Sequence, residues 1–192
     1  MNPVEVREML ERVGAITTGH FKLSSGRHAD TYVQKQRVFE HPRLTASLGE
    51  AIANRQRAVS RAFNVVVSPA VGALTLGHEV ARSANCRFQF AERVDGTMRL
   101  RRNQRIGPAD HVLVVEDVIT TGGSAAEVVE MVVSYGAHLT GVAAMVDRSE
   151  EDLSFPLDAL LRMQIPSWEP TDCPLCAKGE PLDAPGSRYT SS

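Results

Sequence analysis

Cysteine is scarce. The chain has three, Cys86, Cys173 and Cys176, too few for a disulfide framework, so a reducing, cytoplasmic setting is expected. No apolar run approaches the roughly 20 residues a membrane-spanning helix needs. The amino terminus is polar and amphipathic rather than a secretory signal, and no membrane partner is expected. Positive charge is not in excess either: the formal net charge is -2, so no global field draws in nucleic acid, and no nucleic-acid partner is expected. Lysine is nearly missing. It occurs only at 22, 35 and 178, every other fixed positive charge is an arginine, and residues 79 to 110 hold neither Lys nor His. No internal repeat is evident. What is present is ordinary for a globular chain: 192 residues, 43% hydrophobic and 23% charged, enough for one domain with a true core.

Against that background stands His111-Val-Leu-Val-Val-Glu116-Asp117-Val-Ile-Thr120-Thr-Gly-Gly-Ser124. Four apolar residues run into an acidic pair, then a Thr/Gly/Ser turn, then a helix-like run from Ala125 to Val133. A short apolar run bounded by turn signals predicts a strand buried on both faces. The turn then lies where a strand's carboxyl end meets a helix's amino end, the place open α/β sheets bind ligands.

The same alternation recurs along the chain. Helices are expected over Pro3 to Val13, capped by Asn2 and ended by Gly14, and from Pro42 to about Phe63, with Arg55, Arg57 and Arg61 as a solvated face. Strands are expected at 64–67, 86–91 and 139–146, with a shorter one within 153–165 and a helix over 74–83. Asp95-Gly96 signals a hairpin. The fold class predicted is α/β, an open, mostly parallel sheet with helices on both faces. One domain is expected over 1–182: a core at 42–149 and a small hood from 1–41 and about 150–182, with 183–192 a flexible tail.

The chemistry of the 120–124 turn fits a sugar phosphate. Gly122 and Gly123 permit close approach to the backbone. Thr120, Thr121 and Ser124 offer hydroxyls, and the helix amino end offers unpaired N–H groups. Glu116 and Asp117 would repel that phosphate, so they are expected to face ribose hydroxyls or a magnesium shell. A second small-residue loop, 68–73, follows the strand at 64–67 and can bring backbone N–H groups to an anion. Cys173-Pro-Leu-Cys176 is open to three readings: half a zinc site completed by a symmetry mate, a redox pair, or a structural corner without metal, the last being favoured.

The 111–124 stretch resembles the phosphoribosyl-pyrophosphate (PRPP) motif of type I phosphoribosyltransferases. Phe21-Lys-Leu-Ser-Ser-Gly26, followed by Tyr32, is similar to the amino-terminal signature of orotate phosphoribosyltransferases. The resemblance covers most of residues 15–182. It implies a type I phosphoribosyltransferase fold, Mg2+ carried by PRPP and reached by Asp117 through water, a homodimer, and transfer of phosphoribose to orotate. The PRPP contacts it implies are Val71, Gly72, Arg93, Glu116, Asp117, Val118, Ile119, Thr120, Thr121, Gly122, Gly123 and Ser124. The orotate contacts are Tyr32, Thr120 and Arg148, and the catalytic groups Glu116, Asp117 and Arg93. Two departures stand out. A position that holds Lys in many members is Ser24 here, with Lys22 or Arg27 as possible substitutes. The mobile loop that carries Lys and His in the family offers only Arg93, Arg99, Arg101 and Arg102. Arginine can grip a phosphate bidentately but does not readily give up a proton. Two alternatives remain: a PRPP- or nucleotide-binding protein without catalysis, and a transferase for another base.

Overall fold

A computed structural model describes residues 1–23, 25–59 and 62–185. Ser24, Arg61 and the tail from 186 onward, each given a reading above, lie outside the described residues.

The core is a six-stranded sheet. Its strands are β3 (Val65–Pro69), β4 (Arg87–Val94), β5 (Thr97–Leu100), β6 (His111–Ile119), β7 (His138–Asp147) and β8 (Leu157–Arg162), in the order β5-β4-β3-β6-β7-β8. All neighbours pair in parallel except β4 and β5. Those two are joined by the expected tight turn, in which Asp95 and Gly96 both have positive φ, as a right-twisted two-residue hairpin requires.

Alternation along the strands divides the apolar side chains between two cores. Val66, Leu113, Val115, Ala143 and Met145 face one layer with residues of α1 (Pro3–Arg12), α3 (Pro42–Ala58) and α4 (Leu74–Ala84). Val65, Val67, Val112, Val114 and Val142 face the other, with α5 (Gly123–Ser134) and β5. Asn2 caps α1 with its side chain, and Glu5 closes the capping box, the arrangement that satisfies two orphan N–H groups.

Among the element boundaries that differ from expectation, two have a direct cause in the pairing. α3 ends at Ala58, short of Phe63, because Asn64 already exchanges hydrogen bonds with the backbone of His111 and must be extended to do so. β6 does not stop at the acidic pair but runs on to Ile119, since its ladder with β7 continues to Ile119 opposite Asp147. Glu116 and Asp117 therefore sit inside a strand.

The hood is a separate three-stranded sheet, β1 (Ile16–Lys22), β2 (His28–Val33) and β9 (Ser167–Trp168), in the order β1-β2-β9. A register irregularity between Thr18 and Phe21 bends β1. Two four-residue helices, α2 (Gln36–Phe39) after β2 and α6 (Pro174–Ala177) after β9, and a 3-10 turn at Pro170–Asp172 complete the description. Asp183, the first residue of the expected tail, is held against the hood. Asp183 donates its N–H to the carbonyl of His20, and its own carbonyl accepts the N–H of Lys22, 2.8 Å in each case, which holds it on the edge of β1. Among the described residues no helix is long and apolar enough to cross a membrane.

Candidate active site

The carboxyl ends of β3 and β6 converge on one spot. Asp117, on β6, is 2% exposed. Its Oδ1 accepts the N–H of Val118 at 2.6 Å, and its Oδ2 lies 2.5 Å from Nζ of Lys35, the residue that opens α2. Gly72, in the loop after β3, closes the third side. A Cβ built there would meet Lys35 Nζ and Asp117 Oδ2, so any larger residue would have to push the ends of these two side chains aside. The peptide joining Ala70 to the exposed Val71 is cis.

Glu116 has different surroundings. Strand alternation turns it to the opposite face of the sheet from Asp117. There it lines a polar cup of about 70 Å³ with Val118, Ile119, Thr120, Thr121, Gly122, Gly123, Ser124 and Ala125. That is room for a small anion, given a share of roughly 30 Å³ per liquid water. Gly122 has φ 74 and caps α5 without any side-chain hydrogen bond, and the first turn of α5 holds no acid. The first N–H groups of α5 are thus open to an anion, at the positive end of the helix dipole. Gly122 is also packed from below: a Cβ there would meet Leu153 Cδ2 at 2.7 Å.

Glu116 is 8% exposed and accepts the N–H of Asp117 at 3.0 Å. Burial first, and the charge of Asp117 second, push its carboxyl up to about 8, while the Asp117 N–H and Lys35 act in the other direction. In the ligand-free protein the native state then holds a proton that the unfolded chain has released above about pH 4.3. More protons bound by the folded form means stability that falls as pH rises from that point to about 8. Glu116→Gln removes this slope. The melting temperature of the variant relative to the parent should climb across that window and exceed it by about 4 °C or more at pH 8.5. Calorimetric melts that run parallel for the two proteins from pH 5 to 8.5 would contradict this.

Arg148, at the end of β7, donates its backbone N–H to Ile119. Its guanidinium is not paired with the adjacent Asp147, which instead holds Ser149 and faces Arg162. Nε of Arg148 is buried without a hydrogen-bond partner among the described residues. Burial lowers the guanidinium pKa, and Glu150 and Tyr32 oppose that shift. Tyr32, half-buried on β2, is therefore close enough to exert a field on Arg148, and it packs on Phe21 with ring centroids 5.6 Å apart.

Other predicted groups are engaged elsewhere. Arg93 is bound to Glu127 on α5 at 2.7 Å and to the carbonyl of Gly96, so its guanidinium is not free. Arg102 pairs with Glu92. The 101–110 segment is tied to β4, where the Gln104 side-chain amide exchanges hydrogen bonds with the backbone of Phe90. Arg27 reaches Ser167 and Glu169 and so fastens the hood. Lys35 is the residue that reading the sequence missed, although one of only three lysines in an arginine-rich chain is itself a signal.

The profile of the phosphoribosyl transferase domain matches residues 34–155, a span that holds Lys35, Gly72, Glu116, Asp117, the cup and Arg148. The chain belongs to the phosphoribosyltransferase family. Phosphoribosyltransferases similar to it along nearly their whole length include the orotate phosphoribosyltransferase of Caldicellulosiruptor bescii, 45% identical over 98% of this chain and 99% of that one. That of Thermotoga maritima is 44% identical over 95% and 98%. Among solved phosphoribosyltransferases, the Mycobacterium tuberculosis H37Rv orotate enzyme in complex with inorganic phosphate superimposes with a TM-score of 0.66. It shares 26% identity over 83% of this chain and 95% of that one.

Proposed function

We infer that the chain is an orotate phosphoribosyltransferase, transferring the 5-phosphoribosyl group of PRPP to orotate to give orotidine 5′-phosphate and pyrophosphate in pyrimidine biosynthesis. The observation that carries this is the pairing of an open, acid-floored anion cup at the β6–α5 turn with the Lys35–Asp117–Gly72 cluster beside it. The end-to-end similarity to orotate phosphoribosyltransferases supports the choice of base.

The reaction needs no covalent nucleophile. A ring nitrogen of orotate attacks the anomeric carbon, and its proton passes to water or to the departing pyrophosphate. The bond from that carbon to pyrophosphate breaks, and its electron pair leaves with the pyrophosphate. Positive charge develops on the ribose, and a carboxylate held nearby stabilises it without reorganising, the largest kind of term in such catalysis. Asp117 is our candidate for that carboxylate. The cup takes the 5-phosphate, and fixing both reactants can by itself contribute several kcal/mol. The backbone of the 70–73 loop takes the pyrophosphate. Arg148, whose buried Nε has no hydrogen-bond partner among the described residues, answers the polar edge of orotate, and Tyr32 covers the ring.

We propose Mg2+ as the cofactor. Asp117 Oδ2 is a buried carboxylate oxygen paired with the ammonium of Lys35, and hard oxygen donors of this kind suit magnesium through water. When bound with PRPP it supplies charge neutralisation of the leaving group. A homodimer in the cytoplasm is likewise our proposal. Val133 and Tyr135 at the end of α5 are exposed, as suits a face covered by a second copy.

The test is the loss of orotate absorbance on mixing the protein with orotate, PRPP and magnesium. Sustained turnover with orotate, and background rates with adenine, hypoxanthine or uracil, is the expected result. Background rates with every base would overturn the reading.

A further inference from the structure

A second constellation lies in the hood. His20 sits in the bent part of β1 and His28 begins β2. Cys173 immediately precedes α6, and Cys176 lies within it. Three of the four are buried, at 4%, 5% and 3% exposure for His20, His28 and Cys173. Their potential donor atoms all lie within 4.8 Å of one another. Nε2 of His20 is 3.0 Å from Nδ1 of His28, 3.4 Å from Sγ of Cys173 and 3.7 Å from Sγ of Cys176. Nδ1 of His28 is 3.3 Å from Sγ of Cys176.

Three of these four distances, 3.3, 3.4 and 3.7 Å, are those of a coordination shell, and the two imidazole nitrogens lie slightly closer. Zinc bonds of about 2.0–2.1 Å to nitrogen and about 2.3 Å to sulfur, arranged tetrahedrally, separate the donors by roughly 3.3 to 3.8 Å. The proton positions agree. Nδ1 of His20 lies 2.9 Å from the carbonyl oxygen of Glu180, which can only accept. Nδ1 therefore carries the hydrogen, and Nε2 turns a bare lone pair towards the sulfurs. A metal-bound histidine is oriented in this way by the hydrogen bond of its other nitrogen. The one-turn spacing of Cys173 and Cys176 brings both sulfurs to the same side, and both thiols are free.

We propose that His20, His28, Cys173 and Cys176 bind one structural Zn2+ that fastens the carboxyl-terminal segment to the amino-terminal hairpin. Two thiolates and two imidazoles are the donor set of a closed tetrahedral zinc site, and four protein ligands leave no position for catalysis. None of the four belongs to the cup or to the Lys35–Asp117 cluster, so this metal is distinct from the magnesium proposed above. The hood has reason to need it. β9 contributes only Ser167 and Trp168 to the sheet, and so small a sheet is marginal without further support. Of the three readings of Cys173-Pro-Leu-Cys176, the zinc half-site thus displaces the favoured corner without metal, with the other two ligands drawn from the same chain rather than from a symmetry mate.

The full chain, untagged and produced with zinc in the medium, is assayed under reducing conditions by plasma mass spectrometry. About one zinc per chain is expected. Replacing the zinc with Co2+ should give the intense visible and near-ultraviolet bands of tetrahedral cobalt bound to thiolate. Cys176→Ser, at the exposed donor, should lose the stoichiometric metal and the zinc-dependent rise in Tm, whereas Asp117→Asn should keep both. If Cys176→Ser fails to fold, the cobalt spectrum of the parent protein decides. Wild-type protein with less than a tenth of an equivalent of zinc after loading and no cobalt bands would overturn the proposal, as would a Cys173–Cys176 disulfide in protein kept reduced.

Discussion

Asp117→Asn is expected to lower kcat for orotidine 5′-phosphate formation by about 10² to 10³, the loss typical of one preorganised electrostatic group. The substitution keeps size and shape. An Asn side-chain oxygen can still accept the N–H of Val118 that Asp117 Oδ1 holds now, so the end of β6 should keep its path. What disappears is the negative charge beside Lys35 and Gly72. That charge matters most when the ribose becomes cationic, so kcat should fall more than KM rises. Steady-state rates with both substrates varied make the comparison. A variant within a factor of about three of the parent would remove Asp117 from the mechanism.

Arg148→Met should raise the KM for orotate and cut kcat/KM for that substrate by about 10²-fold, while the KM for PRPP stays within about threefold. The scale follows from losing one partner of a buried charged pair, about 2–5 kcal/mol, at roughly 1.4 kcal/mol per factor of ten. Methionine retains the apolar stem that packs beneath the guanidinium. In the free protein the Nε of Arg148 is buried with no hydrogen-bond partner among the described residues, an arrangement that destabilises the empty site and that an anionic ligand relieves. Equal losses for orotate and PRPP would instead mean that Arg148 supports the whole site.

The sheet could be read from the chain because each parallel strand is a short apolar run followed by small residues and a helix. That signal is local. The length of β6 was less legible: its apolar run stops at the acidic pair, yet continued pairing with β7 as far as Asp147 keeps both acids in the strand. This is also why Glu116 and Asp117 face different surroundings when their adjacency suggests a shared one. Lys35 meets Asp117 across the fold, and nothing near either residue announces the contact. The hood's four donors show the same limit. Cys173 and Cys176 are visible as a pair, but His20 and His28 join them only through hairpin pairing and chain return across some 150 positions. Arg93, whose type and position suit a phosphate, is paired at the surface with Glu127 on α5 in the ligand-free protein, a contact that its own stretch of sequence does not announce.

The most direct measurement is a crystal structure of the protein with PRPP and magnesium. The account predicts the 5-phosphate in the 120–124 cup on the first N–H groups of α5, the pyrophosphate on the 70–73 backbone, and the carboxylate of Asp117 turned to the ribose. A structure with PRPP bound and the cup empty, or with Asp117 still closed on Lys35 away from the sugar, would contradict it.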